Sequence, residues 1–187
     1  MTASSNGWFL QSADLVLSGT TSGANEYSVS TLTWGFGSSV GPGMVNIRRA
    51  NGTTILRTGT LVSVNSQSRA PLAVDDGILV ITNTSATAMS NGIYPNMIVR
   101  GAGGAFNFGT LAGGTVTGYT AYTNWTGANQ SSSVVLLQGS GTTIVASSTQ
   151  AALKVMGDGS GSTLTIAAGH TLVPLTFLYA GGGNQSY

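Results

Sequence analysis

About ten to twelve short apolar runs, each closed by Gly, Asn, Asp or Ser, fill this chain and leave no convincing helix. That pattern restricts the chain to an all-β fold: an antiparallel β-sandwich, jelly roll or barrel, with little or no helix. Residues 162–180 hold the most branched and aromatic side chain. Leu164 and Ile166 alternate with Thr163 and Thr165, a tight turn follows at 167–170, and Leu172, Val173, Leu175, Phe177 and Tyr179 form the most apolar strand. The rest of the sheet is expected to be built against it.

The remaining runs read in order. Residues 8–17 form a strand, and residues 26–36 alternate, with Tyr27 and Val29 on one side and Leu32 and Trp34 on the other. Asn51-Gly52 suits a two-residue type I′ turn and predicts a hairpin over 44–58, with Val45, Ile47 and Leu56 on one face and Asn46, Arg48 and Arg57 on the other. Asp75-Asp76-Gly77 and Asn91-Gly92 read as turns. Residues 101–114 are Gly-rich and predict a mobile loop or a segment lying flat against another subunit. Residues 148–156 carry both a helix cap signal and strand alternation, and the alternation of Leu153 and Val155 with Lys154 and Met156 favours a strand. GTTI recurs at 52–55 and 141–144, and STLT at 30–33 and 162–165; these spacings share no short period, which argues against a β-helix. A single domain over 1–187 is expected, with 1–7 as a loose arm.

Charged residues make up only 6 % of the chain, where roughly 25 % is usual, and none lies between residues 101 and 153. Strand edges are normally guarded by Lys, Pro or inward charge. With a net charge of +1 and one Lys, this chain has few such guards and little self-repulsion, so its edges are expected to be covered by sister copies or a scaffold. There is no Cys, so disulfides are excluded. No window reads as a secretory signal or a membrane-spanning helix.

Few residues suggest chemistry. His170 is the only His, and no G-x-S-x-G elbow accompanies it; it reads as a turn residue, and no catalytic set is assigned. Asp75-Asp76 and the 158–162 run read as turns before a cation site. One His and no Cys leave zinc unsupported, a phosphate loop is absent, and no metal or cofactor is expected. Arg48, Arg49 and Arg57 form the one charge cluster. It is thin for nucleic acid and is read as a subunit or capsid contact made through Arg–carboxylate pairs. Tyr119, Tyr122 and Trp125, interleaved with Thr and Asn, could stack a sugar, although such residues more often serve a core or an interface.

Residues 166–181, Ile-Ala-Ala-Gly-His-Thr-Leu-Val-Pro-Leu-Thr-Phe-Leu-Tyr-Ala-Gly, resemble the C-terminal end of head decoration (cement) proteins of tailed bacteriophages. Gly92-Ile-Tyr and Gly101-Ala-Gly-Gly are in keeping. The resemblance covers the last fifth of the chain. It implies a non-enzymatic virion structural protein, assembled in the bacterial host cytoplasm. Such a protein would act as a homo-oligomer, a homotrimer, and stabilise the shell against the major capsid protein, with no membrane or nucleic-acid partner. Two other readings stay open: a phage tail or head-fibre component, which a β-helical form would favour, and a carbohydrate-binding module using the three aromatics.

Overall fold

In the computed structural model the chain is all-β, and no described residue is helical. The described residues are 7–10, 14–18, 23–35, 44–48, 52–64, 72–83, 91–100, 104–138, 142–156 and 164–180. The chain divides into two compact units, Met1–Gly118 and Tyr119–Tyr187.

Among the described residues of the first unit, ten strands form one sheet. They are β1 (Trp8–Leu10), β2 (Asp14–Ser18), β3 (Asn25–Gly35), β4 (Met44–Arg48), β5 (Thr54–Val64), β6 (Leu72–Asp75), β7 (Ile78–Ile81), β8 (Tyr94–Arg100), β9 (Phe106–Ala112) and β10 (Thr115–Gly118). Their order is β1-β3-β5-β7-β10-β9-β8-β6-β4-β2. The odd strands β1 to β7 stack in parallel, and so do the even strands β2 to β8. The β9–β10 hairpin joins the two halves through antiparallel pairing. The sheet curls so that the halves face one another. Leu32, Leu56 and Leu79 from one half, and Ile47, Leu72 and Met97 from the other, share one buried cluster.

The layered, all-β character matches the sandwich or jelly-roll-like expectation. The direction of pairing does not. Antiparallel ladders are confined to the hairpin end, and the remaining ladders of this sheet are parallel. Up to β8 the chain passes from one layer to the other and back, so in the parallel ladders each strand's partner lies one full winding away. That is the winding of a β-helix, which the unequal repeat spacing had argued against. The spacing is unequal because the windings differ in length: Ile55 pairs with Ile78, but Asp14 pairs with Met44. Burial of two layers needs alternation within strands, not a constant link between them.

The hairpin expected over 44–58 is corrected for the same reason. β4 pairs with β2 and β6, while β5 pairs with β3 and β7. Ile47 and Leu56 both reach the core, as expected, but from opposite layers. Asn51 lies outside the described residues, and the strands that flank it are each buried in their own layer. The two-residue hairpin turn is instead Gly113-Gly114, with φ of 55° and 83°, set between the partners Ala112 and Thr115. Most of the Gly-rich run read as a loop is therefore the strand β9 and its turn, and residues 101–103 lie outside the described residues.

A kink in β3 and β5 fixes the core register. Val29 and Thr58 are paired and buried, and three residues on Leu32 and Leu61 are paired and buried too. Strict alternation would send the second pair outward. The strands change face together at Ser30 and Gly59. There the Thr58 hydroxyl donates to the Thr60 carbonyl (2.8 Å) and accepts from the Leu32 amide (3.0 Å), so the break leaves that amide paired. A Cβ on Gly59 would overlap the Ser30 carbonyl oxygen, so the close approach of the two backbones requires glycine.

The second unit contains β11 (Thr123–Asn124), β12 (Gln130–Gln138), β13 (Thr142–Ile144), β14 (Ser148–Met156), β15 (Leu164–Ile166), β16 (Leu172–Pro174) and β17 (Phe177–Ala180). Among the described residues all its ladders are parallel. β11, β12, β14 and then β16 with β17 form one sheet, and β13 pairs with β15. Val135, Leu137, Leu153, Val155 and Ile144 make its core. The tight turn at 167–170 is present, closed by the His170 amide on the Ala167 carbonyl (3.1 Å), with Gly169 at φ 81°. Its flanking strands do not pair with each other. β15 joins β13, and β16–β17 join β14. Among the described residues the stretch against which the sheet was expected to be built pairs on one side only, with Val173, Leu175, Phe177 and Tyr179 exposed.

Candidate functional site

The three arginines singled out above are not brought together. Arg48 is exposed on β4, Arg57 lies on β5 in the opposite layer, and Arg49 falls outside the described residues. Arg57 is ion-paired with Glu26 of the neighbouring strand. The stronger pair is Arg100 with Asp75, which face each other across the β6–β8 ladder. Arg100 Nε and Nη2 donate to the two Asp75 oxygens, both at 2.7 Å. This bidentate hydrogen bonding raises the Arg100 pKa further. The Phe106 ring lies under the guanidinium, 5.1 Å from its centroid. Two arginines are therefore occupied by carboxylates of their own chain. The Asp75-Asp76-Gly77 turn is formed, with Asp76 at φ 55° and its amide donating to the Arg100 carbonyl (3.0 Å).

His170 is half-buried beside Gly169. Among the described residues of its unit there is no Asp or Glu to orient the imidazole. Asp158 lies outside the described residues. No group of three or more His, Cys, Asp or Glu suited to a metal ion occurs among the described residues.

The aromatics divide into two settings. Tyr119 and Tyr122 meet edge to face, with centroids 5.1 Å apart and planes at 90°, so they offer no continuous flat platform. The Tyr119 hydroxyl donates to the Ala121 carbonyl (3.0 Å). Trp125 leans on the Val135–Leu153 core and lines a cleft of ≈ 270 Å³ with Asn124, Leu136 and Gln138.

Tyr122 covers the least expected residue of the molecule. Lys154, the only Lys, is 2 % exposed in the middle of β14, with Leu136 and Leu178 as its ladder neighbours. Its ammonium lies 5.2 Å from the Tyr122 ring centroid. Alternation explains the placement: Leu153 and Val155 fill the core, so Lys154 points to the other face, where the segment before β11 closes over it. Burial lowers the Lys154 pKa from its ordinary 10.5 by penalising the charged form. The unfolded chain then binds more protons than the folded one, so this residue makes stability rise with pH, up to about 10.5. Lys154→Met, which keeps length and removes charge, is expected to raise stability near neutral pH by about 1–2 kcal/mol and to flatten that alkaline rise. Urea unfolding at a series of pH values measures both effects. The signal was visible in the sequence as one charge inside an apolar run; its aromatic cover, more than thirty residues earlier, was not.

Among the described residues, Arg57 and Arg100 are each bound to a carboxylate of the chain, and four of the eight exposed large apolar side chains lie between residues 173 and 179. Comparison with known families, curated proteins and solved structures found no match.

Proposed function

We propose that this chain is a non-enzymatic structural protein of a virion that works through repeated weak contacts between copies. The observation that carries the reading is its surface. Six Lys and Arg in 187 residues leave strand edges with little electrostatic protection, and two of those cations are bound to carboxylates of the same chain. A protein of this kind is suited to a place where neighbours cover it. As a decoration protein it would lie on the shell and clamp adjacent subunits of the major capsid protein, each contact being weak and symmetry multiplying it.

The parallel winding favours a second reading, a tail or head-fibre component. Stacked strands transmit load along a continuous hydrogen-bonded array, and such an array extends by adding turns. Quantitative mass spectrometry of purified particles, with antibody-gold labelling, separates the two. A decoration protein gives a fixed, high ratio to the shell subunit and labels heads. A fibre component gives few copies and labels appendages. Absence from particles overturns both.

A further inference from the structure

We infer that the cleft beside Trp125 is a binding site for a neutral saccharide, with the indole ring as its wall and side-chain amides as its hydrogen-bonding groups. Trp125 stands where the chain leaves β11, and its loop is held from several sides. One side chain clamps both neighbours of the ring. Gln130 Nε2 donates to the Asn124 carbonyl (3.1 Å), and Gln130 Oε1 accepts from the Thr126 backbone amide (3.2 Å). The Trp125 amide donates to the Leu136 carbonyl (3.0 Å). Further along, the Thr126 hydroxyl accepts from the Ala128 amide (3.4 Å), and Gly127 turns the loop at φ 80°. Asn129 Oδ1 then accepts from the Thr149 amide of β14 (2.9 Å). The indole packs on the core with part of its surface and stays half-buried. A partly exposed ring that is fixed in advance loses little freedom when a ligand stacks on it.

The lining selects the ligand class. Asn124 is the ladder partner of Leu136, and Gln138 lies two residues beyond Leu136, so both amides share one face of the β11–β12 pair. Both are exposed. Thr142, at the start of β13, adds a hydroxyl to the same cleft. Each of these three side chains can both donate and accept. A sugar presents the matching surface: hydroxyls that donate and accept around its rim, and a C–H face that rests on an aromatic ring. At ≈ 270 Å³ the cleft falls just below the roughly 300–1,000 Å³ that takes a drug-sized ligand, which suits one or two sugar rings. A nucleotide would also stack, but its phosphate needs a cation, and the one Lys or Arg described in this unit, Lys154, is buried. The site is narrower than the three-aromatic reading of the sequence, because the edge-to-face meeting of Tyr119 and Tyr122 leaves Trp125 as the stacking wall. The inference does not draw on the virion role, so either can fail without the other.

The experiment uses the full chain. Maltose, cellobiose, lactose and N,N′-diacetylchitobiose are titrated in turn, and the indole N–H resonances of the three Trp are followed. At least one of these sugars is expected to shift a single indole signal, with affinity of about millimolar order for so small and wet a site. Trp125→Phe removes that signal and so assigns it. The double variant Asn124→Ala/Gln138→Ala, at two exposed positions, is expected to weaken binding about tenfold or more, through the loss of two hydrogen bonds. Tyr119→Ala leaves the affinity unchanged, and adenosine or a proline-rich peptide gives no shift. Should Trp125→Phe lose its fold, nuclear Overhauser contacts between one indole and the C–H protons of a single sugar face test the stacking in the parent chain. No shift with any of the four sugars, absence of those contacts, or undiminished binding by the double variant overturns the inference. Loss of binding in Tyr119→Ala, or an equal response to adenosine or the peptide, overturns it too. Sugar binding by a chain absent from particles would keep this site and remove the virion role; a chain present in particles that binds no sugar would do the reverse.

Discussion

Gly59→Val is expected to destabilise the first unit by about 3 kcal/mol or more, one of the two largest single-residue effects in this chain. The position is the point where β3 and β5 exchange faces. A Cβ there would overlap the Ser30 carbonyl oxygen, and a backbone atom cannot swing aside as a flexible side chain can. Moving Ser30 away would strain the two hydrogen bonds of the Thr58 hydroxyl and shift Leu32 and Leu61 out of the core register. The loss is read as a lower urea midpoint, with faster amide exchange in β3, β5 and β7 than in β12 and β14. A midpoint within about 0.5 kcal/mol of the parent would mean that the close approach is not required.

Leu153→Ala is expected to cost about 2–5 kcal/mol and to act on the other unit. Leu153 is 0 % exposed and stands between Val135 and Phe177 in its row, so truncation leaves a cavity with ordered strands on both sides. Its neighbours are held by ladder hydrogen bonds and can close the gap only partly. The two units have separate buried clusters, so exchange in β12, β14 and β17 should accelerate while β5 and β7 keep their protection. Equal acceleration in both sets would show that the clusters unfold as one.

Strands were legible in the sequence wherever alternation was strong. The run over 148–156 is a strand because Leu153 and Val155 alternate with Lys154 and Met156, and that signal outweighed its helix caps. Asn91-Gly92 turns as its residue types require, with φ of 52° and 79°. The pairing partner was not legible. A period of two states which face a side chain takes, and says nothing of whether the next strand is nearby in sequence or a winding away. Asn51-Gly52 was therefore read as a hairpin, while Gly113-Gly114, inside a run read as a loop, makes one.

The same limit shaped the site. Apolarity in residues 172–180 was real, but burial depends on having neighbours on both sides, and β16–β17 have a described neighbour on one. The Arg cluster dissolved because proximity in sequence meant opposite layers in space. Lys154 was conspicuous as a lone charge, yet nothing local foretold that Tyr122 would lie over it.

The β9–β10 hairpin acts as a stopper for the stack of the first unit. By turning back between β7 and β8, it ties off the growing edge of both layers with one antiparallel clasp. Every earlier strand needs only partners about one winding away, so the layers can assemble in the order in which the ribosome releases them. Until residues 106–118 emerge, the newest pair of edges stays adhesive. A nascent chain stalled before that point is the form most prone to catch another, and the clasp is what ends the exposure.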